Sequence, residues 1–358
     1  MRLRSSTCWS AVANPSRTYA RLQAIRCFSN ASRIPLGIPP PFPVIKTCPE
    51  PGCSCPPTPP MPEGLPIDHE QTLNGTMAAY AQQILVCTGK EDWTSRIEND
   101  GDGEGWGGLV RGLKALLGRG GKYSDPYNNI LVTNSSFPPA AEASSSFISS
   151  AFLFPSFKYF PSIPVNVSQS EETDVDLSTF VRAFLLPEKL NNMHSSLPSS
   201  KRAGLTRSPD LASKFPNAID IKHSPTILIC GHGGRDMRCG TIGPPLKAQF
   251  QHVLRSRGFS SAGIESIVDR PDHANIGLIS HIGGHKYAGN VIIYIPPGMT
   301  VNAGGSTAPS PLAGKGIWYG RVEPRHVEGI VEETVIHGRV VTDHFRGGIN
   351  IDGEILRL

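Results

Sequence analysis

Two cysteines and two histidines, Cys230, Cys239, His281 and His285, stand in two glycine-rich stretches, TILICGHGGRDMRCGTIGPPLK and HIGGHKYAGNVIIYIPP. Two soft sulfurs and two imidazoles suit either zinc or an iron–sulfur cluster. Arg235 and Arg238 place positive charge beside the thiols. Such surroundings favour the thiolate, the form that ligates metals and attacks disulfides. The four-residue step from His281 to His285 would stack both rings on one face of a helix. Gly283 and Gly284 between them would cost that helix roughly 2 kcal/mol relative to alanine, so a loop that wraps a bound group is expected instead. Either geometry presents two nitrogens to one point.

The elements that must position these groups follow from the flanking residues. Thr226 to Ile229 has the length and β-branched content of a buried strand, which places Cys230 at the strand's C-terminal edge. Glycines at 231, 233, 234, 240 and 243 are expected to take positive φ in a loop that lets backbone N–H groups point inward. Cys239 closes that loop. From Pro244 the apolar positions Leu246, Ala248, Phe250, Val253 and Leu254 predict a helix ending near Arg257 and Gly258. Asn290 to Ile295 reads as a second strand, stopped by Pro296, Pro297 and Gly298.

Taken together, the strand, the eight residues between Cys230 and Cys239, the RDMRCG segment, HIGGHKYAGNVIIY and IWYGRVEPRHVEGIVEETV resemble the sucraseferredoxin-like group of thioredoxin-like ferredoxins. Within that group they are most similar to the fungal altered inheritance of mitochondria family, number thirty-two. The likeness spans Ala78 to Arg346 and is strongest towards the C-terminus. It implies an α/β chain with a thioredoxin-like ferredoxin domain at residues 225–358. It also implies a 2Fe-2S cluster held by Cys230, Cys239, His281 and His285. In ordinary members the second ligand pair is two cysteines, and here it reads as two histidines. Two thiolates on one iron and two neutral imidazoles on the other carry less negative charge than four thiolates, which raises the potential. Arg235 and Arg238 would stabilise the thiolates. Asp236 is expected to pair with one of these arginines or to support a histidine.

The rest of the chain fits that setting. Residues 1–28 hold five arginines and no acid, and Arg26-Cys27-Phe28-Ser29 resembles a matrix-processing site, so a mitochondrial transit peptide is expected, with the matrix as the favoured compartment. Its removal would take the formal charge from +4 to −1, which leaves nothing to support nucleic-acid binding through a basic surface. No run of about 18 apolar residues suggests a transmembrane helix. Residues 29–75 are proline-dense and read as an extended, partly polyproline leader. Its Cys48, Cys53 and Cys55 are open to three readings: a second metal site, redox-active thiols, or exposed and idle cysteines.

Residues 76–186 read as a second α/β domain, with Ala78 to Val86 passing from helix-like into strand and NILVT, 129–133, as another strand. Thr88-Gly89-Lys90 lacks the glycine run of a phosphate loop, and GDGEG is too short for a calcium loop. AFLFPSFKYFP is expected to pack between elements. Cys87 ends its strand as Cys230 does, which raises a degenerate thioredoxin-like unit that kept its fold and lost its cluster. Residues 187–224 read as a linker. His232 competes as a ligand; His273 is a weaker candidate, and His326, His337 and His344 are expected at the surface or at helix ends. Asp343 to Arg346 is placed where it can cover the cluster from one side.

Three functions compete. The first is an electron-transfer or thiol-redox protein with redox partner proteins in mitochondria, rather than an enzyme with its own small-molecule substrate. The second is a zinc-stabilised structural or interaction module using the same four ligands. The third is a metal-free thioredoxin-fold dithiol protein, against which the eight-residue gap between the cysteines argues.

Overall fold

Runs of β-branched and aromatic residues come together in one mixed sheet. The computed structural model describes residues 39–358 apart from 53, 144, 167–174, 262–268 and 304. In chain order the elements are β1 (Val44–Ile45), β2 (Gln82–Cys87), α1 (Gly105–Leu117), β3 (Ile130–Ser135), β4 (Ile148–Phe154), β5 (Lys158–Pro164) and α2 (Leu177–Phe180). Then follow α3 (Ser199–Leu205), β6 (Ile219–Asp220), β7 (Thr226–Cys230), α4 (Met237–Ser256), β8 (Ser260–Ser261), β9 (His273–Ile279) and β10 (Val291–Ile295). The chain closes with β11 (Thr300–Ala303), β12 (Ser306–Pro309), β13 (Lys315–Tyr319), α5 (Val327–Ile330), β14 (Val340–Val341), β15 (Phe345–Asn350) and β16 (Ile355–Leu356).

From edge to edge the sheet runs β16-β15-β13-β10-β7-β9-β3-β2-β4-β5-β6, with β8 beside β9. β7 and β9 are parallel and joined through α4, while β10 is antiparallel to β7 and β13 to β10. α5 follows β13, and Val331–Ile336 continues it as a wider turn. This is the thioredoxin arrangement. β7, β9 and β10 are buried at every position, as a strand covered on both faces must be.

The N-terminal half repeats the pattern. β2 and β3 are parallel with α1 between them in sequence; β4 is antiparallel to β2, and β5 to β4. Numbered within each half, both sheets read second, first, third, fourth, and a short helix follows the fourth strand. The halves meet where the two second strands run antiparallel at Ser135 and Ile279. Reciprocal bonds extend that seam: the Asn134 N–H donates to Ser280 Oγ and the Ser280 N–H to the Asn134 carbonyl, each at 2.9 Å.

Several boundaries differ from expectation. Residues 78–81 are not helical, and β2 begins at Gln82. Residues 187–224 carry α3, short helical turns and β6, which pairs with β5. AFLFPSFKYFP forms the β4–β5 hairpin, whose Phe154 ring stacks on Tyr294 at 3.9 Å. α4 starts at Met237, seven residues before the expected Pro244. Asp236 caps it by accepting the Arg238 N–H at 3.0 Å, so both prolines lie inside the helix. Gly240 and Gly243 are therefore helical, and none of the five glycines expected at positive φ adopts it.

The proline-rich leader lies across the C-terminal half as a strap. β1 pairs in parallel with β14, and Phe42 is buried with its ring edge-on to Phe345 at 5.7 Å. Farther along, Thr47 Oγ1 donates to Asp343, the Gly52 N–H to Glu328 and Thr58 Oγ1 to Glu323. Cys48 is buried rather than exposed and donates to the His326 carbonyl at 3.4 Å; burial pushes its thiol up to about 12. Cys55 is half-buried, and Cys53 and the expected transit peptide lie outside the described residues. His326 and His344 stand at helix ends, as expected, and there pack ring to ring at 4.3 Å, with His344 buried.

Those two histidines set a pH dependence. Burial lowers the His326 pKa to about 4 and also lowers that of His344. A histidine held neutral in the fold contributes stability that is complete above its unfolded pKa of about 6.5 and is lost as pH falls through the folded value. Urea denaturation should show wild type losing stability between pH 6.5 and pH 4, with about 2 kcal/mol of the loss absent in His326→Gln. Parallel pH profiles for the two proteins would refute the assignment.

Candidate metal centre

The pleat that buries TILIC delivers Cys230 to the end of β7, and the turn after it brings Cys239 back on the first turn of α4. Close backbone approach makes this possible. A Cβ at Gly240 would sit 2.6 Å from the Gly233 Cα, and one at Gly243 would sit 2.7 Å from the Gly231 Cα. The glycines near the cysteines thus serve packing between α4 and the turn. Positive φ occurs instead at Gly283 and Gly284, which turn the chain between the two histidines as a loop.

Both sulfurs are buried, and neither is in a disulfide. The two thiols are close enough to act on each other, which holds Cys230 well below the ordinary thiol range and pushes Cys239 up. The nearby His281 ring adds to the lowering at Cys230. His281 and His285 lie with ring centroids 5.3 Å apart. Burial lowers the His285 pKa and keeps its imidazole neutral, the form that ligates metals. His285 Nδ1 is buried without a hydrogen-bond partner among the described residues, while Nε2 lies 3.8 Å from Asp236. The arrangement is one of pairs: sulfur with sulfur, ring with ring, and His281 linking them. Among the described residues no three of His, Cys, Asp and Glu form a group that could hold a single metal ion.

His232 is not free to compete. Its Nδ1 accepts the His281 N–H at 3.0 Å, and its Nε2 lies 3.1 Å from the Trp93 carbonyl and 2.9 Å from that of Thr94. Asp236 pairs with Arg238 through both carboxylate oxygens, at 2.9 Å each, and this contact lowers its pKa. Arg238 also donates to the Pro66 carbonyl at 3.0 Å, which ties the strap to the first turn of α4. Arg235 reaches Ser95 Oγ in the other half of the sheet. A cleft of about 260 Å³ opens beside His281, lined among others by Ser95, Arg96, Lys114, Arg235 and Ser280. His273 is buried in β9 with Nδ1 3.0 Å from Ser260 Oγ, and His337 lies 3.2 Å from Glu332.

Asp343 and His344 belong to the strap's side, and of that segment only Arg346 reaches the centre. Its guanidinium is buried and donates to the Gly283 carbonyl at 3.2 Å, Asn290 Oδ1 at 2.7 Å and the Thr76 carbonyl at 2.9 Å. Asn290 and the strap residue Pro66 are parts of the site that sequence reasoning missed. Asn290 carried a readable signal, a polar residue heading an otherwise apolar strand. Cys87, the counterpart of Cys230 in the first half, is buried without a ligand partner of this kind, and burial raises its pKa to about 12.

A family model described as Sucrase/ferredoxin-like matches residues 73–347. The chain is 31% identical over 318 residues to altered inheritance of mitochondria protein 32 of Debaryomyces hansenii, covering 85% of this chain and 96% of that protein. It is 29% identical to the protein of the same name from Meyerozyma guilliermondii, covering 86% and 95%. The actin patches distal protein 1 of Saccharomyces cerevisiae is 32% identical over 121 residues, 34% of this chain and 33% of that one. No solved structure gives a significant match.

The double duty of Asp236 is testable. Asp236→Ala removes the cap of α4 and leaves the buried Arg238 guanidinium without its carboxylate, for an expected loss of about 2–4 kcal/mol in chemical denaturation. Asp236→Asn keeps a capping oxygen and should recover about 1 kcal/mol of that loss. Equal stability of wild type and Asp236→Ala would refute both roles.

Proposed function

Because the chain belongs to the sucrase/ferredoxin-like family, we propose that it is a mitochondrial redox protein whose Cys230, Cys239, His281 and His285 hold a 2Fe-2S cluster for electron transfer or thiol redox homeostasis. The observation that carries this reading is the pairing of the donors, two buried free thiols from the end of β7 and the first turn of α4 beside a pair of imidazoles whose ring centroids lie 5.3 Å apart. Two donors for each of two irons is what such a cluster requires. The unpartnered, buried Nδ1 of His285 fits a ligand atom whose partner is the metal.

When bound, the cluster supplies a one-electron redox couple. The chain's own residues do the rest. Cys230, held below the ordinary thiol range by the neighbouring Cys239 and His281, would deprotonate readily on ligation. Burial favours the neutral form of His285, and its Nε2 lies 3.8 Å from the Asp236 carboxylate, which adds a negative charge on that side of the ring. His232 holds the His281 backbone and so sets the start of the two-histidine loop. The sulfurs are out of reach of a protein disulfide, which supports metal ligation over direct thiol exchange. The cleft beside His281 offers a partner one approach to the centre. The names of the relatives support a mitochondrial setting, as does the arginine-rich N-terminal sequence.

Protein purified without air should show visible charge-transfer bands and about two irons and two sulfides per chain. The bands should shift in His281→Cys. A colourless protein carrying one zinc would overturn the cluster in favour of a structural module, and unshifted bands in His281→Cys would remove that histidine from the ligand set.

A further inference from the structure

Arg346 is among the largest fully buried side chains, and among the described residues it forms no ion pair. A cation in that position needs a reason, because burying an unpaired charge opposes folding. Its hydrogen bonds go to neutral groups. Nε donates to Thr76 Oγ1 at 3.0 Å, and the terminal nitrogens reach the carbonyls of Thr76 and Gly283 and the Asn290 amide oxygen. Asn290 in turn donates to the Gly284 carbonyl at 2.9 Å. Arg346 and Asn290 therefore grip both glycines between His281 and His285. Any side chain at Gly284 would run into the guanidinium. Tyr287 and Trp318 present ring faces to it at 5.4 and 5.7 Å. A thiolate at Cys230 or Cys239 would lie close enough to favour its charge.

We propose that Arg346 is the positioning residue of the metal centre, clamping the two-histidine loop through Gly283 and Asn290 and biasing the site, by its uncompensated positive charge, towards holding one additional electron. The second half of this statement rests on the cluster reading. Two ferric ions, two sulfides and two thiolates with neutral imidazoles sum to no net charge, and one electron from an external reductant leaves the site with one negative charge. A buried guanidinium stabilises that charge selectively, so it raises the potential rather than merely holding the fold together.

The test uses the full chain with three substitutions. Arg346→Gln removes the charge and most of the clamp; Arg346→Lys keeps the charge and loses the bidentate geometry. Asn290→Asp keeps the guanidinium but sets a carboxylate against it. Redox titration of the cluster should show the reduction equilibrium shifted at least tenfold towards the oxidised form in Arg346→Gln and Asn290→Asp, which is 59 mV for one electron. Arg346→Lys should stay within that limit of wild type. Wild-type potentials in both Arg346→Gln and Asn290→Asp would overturn the electrostatic role. Amide hydrogen exchange of residues 281–289 in chelator-stripped protein tests the clamp without the cluster: exchange should quicken at least tenfold in Arg346→Gln and Arg346→Lys, and wild-type exchange in both would overturn the positioning role. Wild type that holds no iron with sulfide would overturn the cluster reading, while the exchange rates would still decide the clamp.

Discussion

The imidazole of His232 has two nitrogens, and the fold commits both. One accepts the N–H of His281, and the other meets carbonyls at Trp93 and Thr94 from the first half of the sheet. A ring that accepts on one side and donates on the other fixes its own tautomer and the distance between what it joins. The turn after β7, the loop after β9 and the loop after β2 thus meet at one buried side chain. The histidine closest in sequence to Cys230 is the one that builds the site's frame, which leaves His281 and His285 as the imidazoles available to a metal.

The repeated strand order gives that frame its meaning. Each half presents a cysteine at the end of its first strand, Cys87 in one and Cys230 in the other. Only the second half returns a helix bearing another cysteine and a loop bearing histidines. In the first half the equivalent ground is used to support its neighbour. Trp93 and Thr94 receive His232, Ser95 receives Arg235, and two N–H···O bonds at Asn134 and Ser280 knit the second strands together. A unit without the donors thus acts as a wall for the unit that has them.

The cysteines and histidines stand out in the sequence because they and the paired glycines are uncommon residues whose spacing carries meaning, and the fold brings Cys230 near Cys239 and His281 near His285. The strands around them were readable because TILIC and VIIYI are β-branched and uninterrupted. The start of α4 was hidden by its own composition: glycines and a proline pair read as breakers when the strand of context is local. In the fold Gly240 and Gly243 are required by backbone contacts with Gly233 and Gly231, and Asp236 starts the helix despite them. The strap was hidden for a different reason. Proline density predicts an extended chain but says nothing of what that chain lies against, and its partners, from Glu323 to Asp343, are remote in sequence. Arg346 was legible only as a residue near the centre; its grip on Gly283 and Asn290 depends on three separate segments meeting.

The strap has a consequence for the order in which the molecule is completed. Residues 42–58 leave the ribosome early, yet the groups that receive them are among the last made, with 296 positions separating Thr47 from Asp343. Contacts of such long range close late and slow the final step of folding. Until β14 exists, β1 has no strand to pair with, and the Pro66 carbonyl has less reason to stay on Arg238. The strap is therefore among the last parts of the fold to seat, and the first turn of α4 gains its contact with Pro66 only once the C-terminal half has formed.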